Sequence, residues 1–283
     1  MSEGLPQLPA PAWFVGCGNM GRAIVDGWRL AGIDLGKAVV IRPSGEAVEG
    51  VRTVTRLADA GPPPKLVVLA VKPQMLDEVA EQLRPWLTSR TIIVSILAGV
   101  ELASLRARFP NNAAIVRAMP NLPVAIRRGV TGLVAGDLED STRQRVADLF
   151  AALGFAMWMA DEDKLAALGS VAGAGPAYVA RFIAALAKAG EARGLSPDIA
   201  ATIALETVLG TAWMAATRSE TMDSVVRRVA SPNGTTEAGL RVLDADRALE
   251  QLVRETIDAA ADRGAQLAEA ARGPSLAEGE RVH

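Results

Sequence analysis

Histidine and cysteine are almost missing from this sequence. Its one histidine is the terminal residue, His283. Catalysis built on histidine, and metal sites rich in it, are excluded on that count, so no metal centre is expected. The one cysteine, Cys17, has no partner for an internal disulfide and fits a reducing compartment. A surplus of positive charge is missing too: 30 Lys and Arg stand against 32 Asp and Glu. Nothing is left over to neutralise a phosphate backbone, and no nucleic-acid partner is expected. No run approaches the ~18 consecutive apolar residues of a membrane span. The longest, "LVVLAV" and "TIIVSILAGV", are strand-sized, so no membrane contact is expected. The opening "MSEGLPQLPAP" has no basic residue ahead of an apolar stretch, so it does not read as a secretory signal. A cytoplasmic location follows as the expectation.

What is present is a long chain with ample apolar material. Its 283 residues, half of them hydrophobic, favour two domains over one core. From residue 12 to about 160, short apolar runs alternate with helical patterns. The runs cover 12–16, 38–41, 66–71, 91–97, 113–119, 129–135 and 155–160. Several are apolar throughout, as strands covered on both faces are. Helical patterns fill 75–86 and 140–153. This alternation predicts an α/β domain with a doubly wound parallel sheet. Past residue 163 the strand signal stops. Val179, Phe182, Ile183 and Leu186 follow a helical spacing. Ser196 reads as an N-cap, with Pro197 at the first helical position. A long helix follows to about residue 217, and others near 222–230 and 236–272, the last broken around Asp246. These helices carry apolar residues on more than one face, Ile199, Ile203, Leu205, Val208, Leu209, Trp213 and Met214 among them. A second copy of the chain would cover that surplus. The boundaries expected are a flexible tail over 1–11, a nucleotide-binding domain over 12–162, a helical domain over 163–272 and a second tail over 273–283.

The stretch "FVGCGNMGRAI" holds Gly16, Gly18 and Gly21 in G-x-G-x-x-G spacing, after a strand and before a helix. In that context the first glycine permits the tight turn, the second lets backbone N–H groups reach a pyrophosphate, and the third lets helix and strand pack closely. A ligand-free glycine turn is the alternative. Cys17 reads as a small packing residue. NAD-binding loops place an acidic residue at the end of the second strand; here "VVIRPSGE" puts Arg42, Pro43 and Ser44 there. An arginine and a hydroxyl suit a 2′-phosphate, so NADPH is the expected cofactor, with NADH admitted as second choice. The alternative makes Arg42 an ordinary solvated residue. Far along the chain, "VASPNGTTEAGLRVLD" ends one helix and starts another with two hydroxyls at its N-terminus. That is a site for a small carboxylate, or else plain capping by one threonine.

"GCGNMG", "AVKPQ", "MPN-x-P", "GAGPAY" and "SPNGTT", in this order and at these spacings, resemble the pyrroline-5-carboxylate reductase family over residues 12–270. The resemblance implies a Rossmann domain, then an all-helical dimerisation domain that interlocks with its twin. It implies hydride transfer from NAD(P)H to the cyclic imine 1-pyrroline-5-carboxylate, giving L-proline, the last step of proline synthesis. By the same resemblance Gly16, Gly18, Asn19, Met20 and Gly21 would hold the pyrophosphate. Val71, Lys72 and Pro73 would line the adenosine, Ala98 and Gly99 the nicotinamide, and Asn121 would lie near the carboxamide. Lys72 is read as part of the cofactor loop, not as a covalent base. Ser231, Gly234, Thr235 and Thr236 would bind the substrate carboxylate and ring nitrogen, with Thr236 as the catalytic hydroxyl. A substrate that already contains C=N needs little acid–base help once protonated, which agrees with the missing histidine.

The sequence departs from the family pattern in places. Leu122 stands for a threonine, Ala174 for a serine and Asn233 for a glycine, and Val226-Arg227 replaces a Lys-Asp pair. Asn tolerates φ > 0 best among non-glycine residues, so the turn at 233 is expected to survive. A reductase of a related cyclic imine, and a nucleotide-binding regulator with little turnover, are the alternatives these changes raise. A β-hydroxyacid dehydrogenase is a further one, but the helix start "GSVAGAGPAYVAR" lacks the catalytic lysine that layout needs.

Overall fold

The computed structural model describes residues 5–112 and 114–272. Ala113, residues 1–4 and the expected tail over 273–283 lie outside them. The chain divides into two compact units. One holds Met1–Ala174 together with the chain from Ala260 on; the other is Gly175–Ala259.

The first unit is built on eight strands: β1 (Ala12–Val15), β2 (Ala38–Ile41), β3 (Arg52–Val54), β4 (Leu66–Leu69), β5 (Ile92–Ser95), β6 (Ile115–Pro120), β7 (Gly129–Ala135) and β8 (Gly154–Trp158). They form one sheet in the order β3-β2-β1-β4-β5-β6-β7-β8. The strand order reverses at β1, between β2 and β4, which opens a crevice at the carboxyl ends of those strands. Helices α1 (Asn19–Leu30), α2 (Leu76–Leu83), α3 (Leu102–Arg108) and α4 (Asp140–Ala151) accompany the strands. Every residue of β1, β2, β4 and β5 is buried. Alternate side chains feed two cores: Ala12 and Phe14 pack with Trp28 and Phe150, while Trp13 and Val15 pack with Leu83 and Phe109. This is why those runs read as apolar without alternation.

Three details depart from the expectation. The sheet is not wholly parallel, because β6 and β7 pair antiparallel. Only residues 121–128 join them, with a 3₁₀ stretch over Leu122–Ile126 and a left-handed Arg127, and a parallel crossover needs a dozen residues or more. Strand β3 went unread because three residues, paired with β2, leave no periodic trace. Within the expected N-terminal tail, Leu8 is buried in the core and the Pro11 carbonyl accepts from Lys65 N–H at 2.8 Å.

After β8, α5 (Glu162–Leu168) runs into a π-helical turn over Gly169–Gly173. Then come α6 (Gly175–Glu191), α7 (Pro197–Arg218), α8 (Met222–Val229), α9 (Thr235–Asp244) and α10 (Ala248–Arg272). The break expected near Asp246 is there: its φ of 51° interrupts the helix. Ser196 does stand before α7 with Pro197 following, but its hydroxyl makes no cap hydrogen bond. The second unit has little core of its own. Its buried cluster is Ala187, Ala200 and Ala204, with Ile183 against it. Phe182, Ile199, Leu209, Trp213 and Val253 are all at least half exposed. Two helical runs, Glu162–Glu191 and Pro197–Arg218, are long and apolar enough to cross a membrane by length and composition. This corrects the reading of strand-sized runs alone: alanines keep mean hydropathy high across helices that are not apolar throughout.

Candidate active site

The glycine loop leaves β1 at the point where the strand order reverses. Gly16 has φ of 80°, and its N–H donates to the Ile41 carbonyl at 2.8 Å. A Cβ there would lie 2.6 Å from the Ala70 carbonyl oxygen and 2.7 Å from Val71 Cγ1. No side chain fits. Gly18 is the N-cap of α1, it is exposed, and a Cβ there would meet nothing within 4 Å. The space above Gly18 is open, and the free N–H groups of the first turn of α1 border it. Asn19 is exposed and Met20 half-buried. Gly21 sits where a Cβ would be 3.2 Å from Cys17 Sγ. Cys17 itself is buried, and that burial pushes its thiol above the usual range, against the pull of Arg42 and Arg22. It is a packing residue, not a thiolate.

The other cofactor candidates gather at the same end of the sheet. Half-buried Val71, exposed Lys72 and half-buried Pro73 follow β4. Exposed Ala98 and half-buried Gly99 follow β5, with Gly99 at φ 74°. The far end of α10 packs on that loop, close enough that a Cβ on Gly99 would lie 2.9 Å from the Leu267 carbonyl carbon. Behind it, Glu162 Oε1 accepts from Leu102 N–H at 3.0 Å and from the Arg117 guanidinium, joining α5, α3 and β6. The Arg117 side chain is only 8% exposed.

Arg42 follows β2 directly. Its Nη2 lies 2.9 Å from Glu46 Oε2, and Arg22 of α1 bonds the other oxygen of the same carboxylate. Ser44 is exposed, and its hydroxyl accepts from Glu46 N–H at 3.3 Å. The sequence had directed attention to Arg42 and Ser44 and passed over Arg22 and Glu46. Only folding brings a helix residue and a loop residue 24 positions apart into one cluster.

Asn121 is 6% exposed, and both ends of its amide serve the backbone. Nδ2 donates to the Ala172 carbonyl at 3.0 Å, and Oδ1 accepts from Val130 N–H at 2.7 Å. It ties the end of β6 and the start of β7 to the π-helical turn.

The remaining candidates belong to the second unit. Asn233 has φ of 57°, the left-handed turn expected of it. Its N–H donates to the Glu237 carboxylate at 2.5 Å. Gly234 is the N-cap of α9, and no side chain caps that helix. The capping alternative for the threonines therefore fails. Thr235 and Thr236 occupy the first two helical positions, where neither hydroxyl can cap. Thr235 and Ser231 are exposed, Thr236 half-buried. A Cβ on Gly234 would lie 2.5 Å from Ser231 Oγ, so the serine hydroxyl turns toward the helix start.

Two clefts elsewhere lie around Ser89, Arg90, Ile92 and Arg145, at the amino ends of the strands. Ligands of doubly wound sheets bind at the carboxyl ends, so the glycine-loop end carries the site. Among the described residues no group of three His, Cys, Asp or Glu could hold a metal.

Comparison with known proteins bears on both units. A reductase of Pseudomonas aeruginosa, named pyrroline-5-carboxylate reductase, is 37% identical over 266 residues, spanning 90% of this chain and 96% of its own. The chain belongs to the pyrroline-5-carboxylate reductase family. A family model described as pyrroline-5-carboxylate reductase dimerisation matches residues 162–267. Another, described as NADP oxidoreductase, coenzyme F420-dependent, matches residues 13–99. The solved pyrroline-5-carboxylate reductase of Coxiella burnetii is 31% identical, with a TM-score of 0.82 over 92% of this chain and 99% of its own. The Plasmodium falciparum enzyme, solved with NADP bound, shares the fold at a TM-score of 0.82 over 94% of this chain and 100% of its own, with 24% identity. Membership in this reductase family sets the β-hydroxyacid dehydrogenase alternative aside.

Proposed function

We propose that this chain reduces 1-pyrroline-5-carboxylate to L-proline with NADPH, as the last step of proline biosynthesis. Family membership over nine-tenths of the chain supports the reaction. The open space at Gly18 and the paired arginines beside it support the cofactor. When bound, NADPH supplies the hydride. The chain's own residues do the rest. Gly16, Gly18, Asn19, Met20 and Gly21 receive the pyrophosphate at the start of α1. Arg42 and Ser44 receive the 2′-phosphate, Val71, Lys72 and Pro73 border the adenosine, and Ala98 and Gly99 border the nicotinamide. Asn121 shapes this region by holding the π-helical turn.

The substrate carboxylate is bound by the N–H groups at the start of α9, with Ser231, Gly234 and Thr235 around it. Thr236 Oγ1 accepts a hydrogen bond from the protonated ring nitrogen and sets its geometry. The observation that carries this assignment is the cap: Gly234 takes that position, which leaves both threonine hydroxyls to a ligand. Orientation and hydrogen bonding suffice, because the protonated imine is already an electrophile.

The family is one of homo-oligomers, and in this reading the second unit forms a dimer. Its exposed Phe182, Ile199, Leu209 and Trp213, set against a buried cluster of only Ala187, Ala200 and Ala204, support that. A cytoplasmic location accords with the single buried Cys17. The test is oxidation of NADPH by the purified protein across a panel of cyclic imines. Fastest turnover with pyrroline-5-carboxylate is expected. Faster turnover of another ring would redraw the substrate, and none with any ring would leave a nucleotide-binding regulator. Light scattering at micromolar concentration is expected to give at least twice the chain mass, and a stable monomer would refute the dimer.

A further inference from the structure

The cluster at the end of β2 contains one charge more than a 2′-phosphate site needs. Arg22 donates its N–H to the Gly18 carbonyl at 2.9 Å, which sets it one turn past the glycine loop. Arg42 stands just beyond Ile41, whose carbonyl the loop itself engages. Both guanidinium groups grip Glu46, one on each carboxylate oxygen. Arg42 is 17% exposed and Glu46 57%. Arg42 Nη1 is buried and has no hydrogen-bond partner. A carboxylate has two oxygens, and here each goes to a different arginine. A phosphate monoester offers three, enough to engage Arg22 and both Nη groups of Arg42.

We propose that Glu46 is a built-in competitor for the cofactor's 2′-phosphate, occupying its subsite between Arg22 and Arg42 until the phosphate displaces it. Glu46 is then a specificity-determining residue and Arg22 a second arm of the phosphate site. The inference rests on the reading that Arg42 faces the 2′-phosphate. Displacement is easy, since Glu46 is largely solvated and an ion pair made by a solvated carboxylate is weak. Arg22 first, and Arg42 after it, hold the Glu46 carboxyl below the usual range, so it competes as an anion at neutral pH. A 2′-hydroxyl carries no charge with which to displace it.

The experiment titrates adenosine 2′,5′-bisphosphate and adenosine 5′-monophosphate into the full-length protein by calorimetry at fixed ionic strength. It compares the wild type with Glu46→Gln, Arg22→Ala and Arg42→Ala. Glu46→Gln is expected to tighten the bisphosphate by about three- to tenfold, the factor by which removing a competitor raises apparent affinity, and to leave the monophosphate nearly unchanged. Arg22→Ala and Arg42→Ala are expected to weaken the bisphosphate selectively. Unchanged or weaker bisphosphate binding by Glu46→Gln, with Arg42→Ala behaving as expected, overturns the competitor role alone. Loss of monophosphate affinity in Glu46→Gln also overturns it, because Glu46 would then be a ribose acceptor. An unchanged bisphosphate preference in Arg42→Ala overturns the subsite itself.

Discussion

Replacing Gly16 and Gly18 one at a time by alanine separates folding from binding within a single loop. At Gly16 the new methyl group meets two penalties. The φ of 80° is left-handed, which costs an L-residue about 1–2 kcal/mol. The Cβ would also stand 2.6 Å from the Ala70 carbonyl oxygen, which is backbone of the neighbouring strand end and cannot swing aside. Relieving that contact by a shift of the loop brings the total to about 2–4 kcal/mol, comparable to other overpacking substitutions. At Gly18 the φ of −77° suits any residue and the space is open. The fold loses only about 0.5–1 kcal/mol, the difference between glycine and alanine as N-cap. What the methyl group takes is the space above the first turn of α1, where the pyrophosphate is assigned. Thermal unfolding and NADPH titration by fluorescence read the two effects. Gly16→Ala is expected to lower the melting temperature by about 5–15 °C. Gly18→Ala is expected to melt within a few degrees of the wild type and to bind NADPH at least about tenfold more weakly, through lost phosphate contacts. A Gly18→Ala protein with unaltered NADPH affinity would refute the cofactor assignment of the loop. A Gly16→Ala protein with an unaltered melting temperature would refute the steric argument.

Thr236→Ala is expected to lower kcat/KM for the imine by about ten- to a hundredfold, through loss of a hydrogen bond to a charged group, with NADPH affinity and melting temperature unchanged. A lower melting temperature with normal kinetics would return Thr236 to a structural role. Glu162→Ala strands the buried Arg117 guanidinium and frees Leu102 N–H, and is expected to cost about 2–4 kcal/mol in chemical denaturation. The added Arg117→Met is expected to recover part of that, and additive losses would refute the pairing. Asn121→Ala removes hydrogen bonds to Val130 N–H and the Ala172 carbonyl and is expected to cost about 2–3 kcal/mol, measured the same way. The carboxyls of Glu46, Asp59 and Asp77 are depressed, chiefly by hydrogen bonds from Arg22, Arg56 and Arg108. Depressed carboxyls stabilise above the unfolded carboxylate range and lose that as pH falls through their folded values. The melting temperature is therefore expected to hold from neutral pH to about pH 5 and to fall below about pH 4, and a rise there would refute the assignment.

Much was legible in the sequence because it rests on local rules. Strands buried on both faces read as unbroken apolar runs. Gly16, Gly18 and Gly21 announce a strand–turn–helix, and Asn233 announces a left-handed turn because few other residues tolerate one. The family motifs carried the reaction. Tertiary structure decided what depends on which residues meet. The direction of β7 followed from a connection too short to cross over, and Leu8 was drawn from a presumed tail into the core. The glycine at the start of α9 took the cap, which the sequence had left open to Thr235 or Thr236. Asn121 spends one end of its amide on Val130 in the next strand and the other on Ala172, 51 residues on, which no spacing rule reports. Arg22, Arg42 and Glu46 show the same limit most plainly. Arg42 stood out in the sequence by its place after β2, but Arg22 and Glu46 read as ordinary surface charges, and only the packing of α1 and β2 beside β1 gathers the three into one cluster, because electrostatic partnership depends on distance in space and not on separation along the chain.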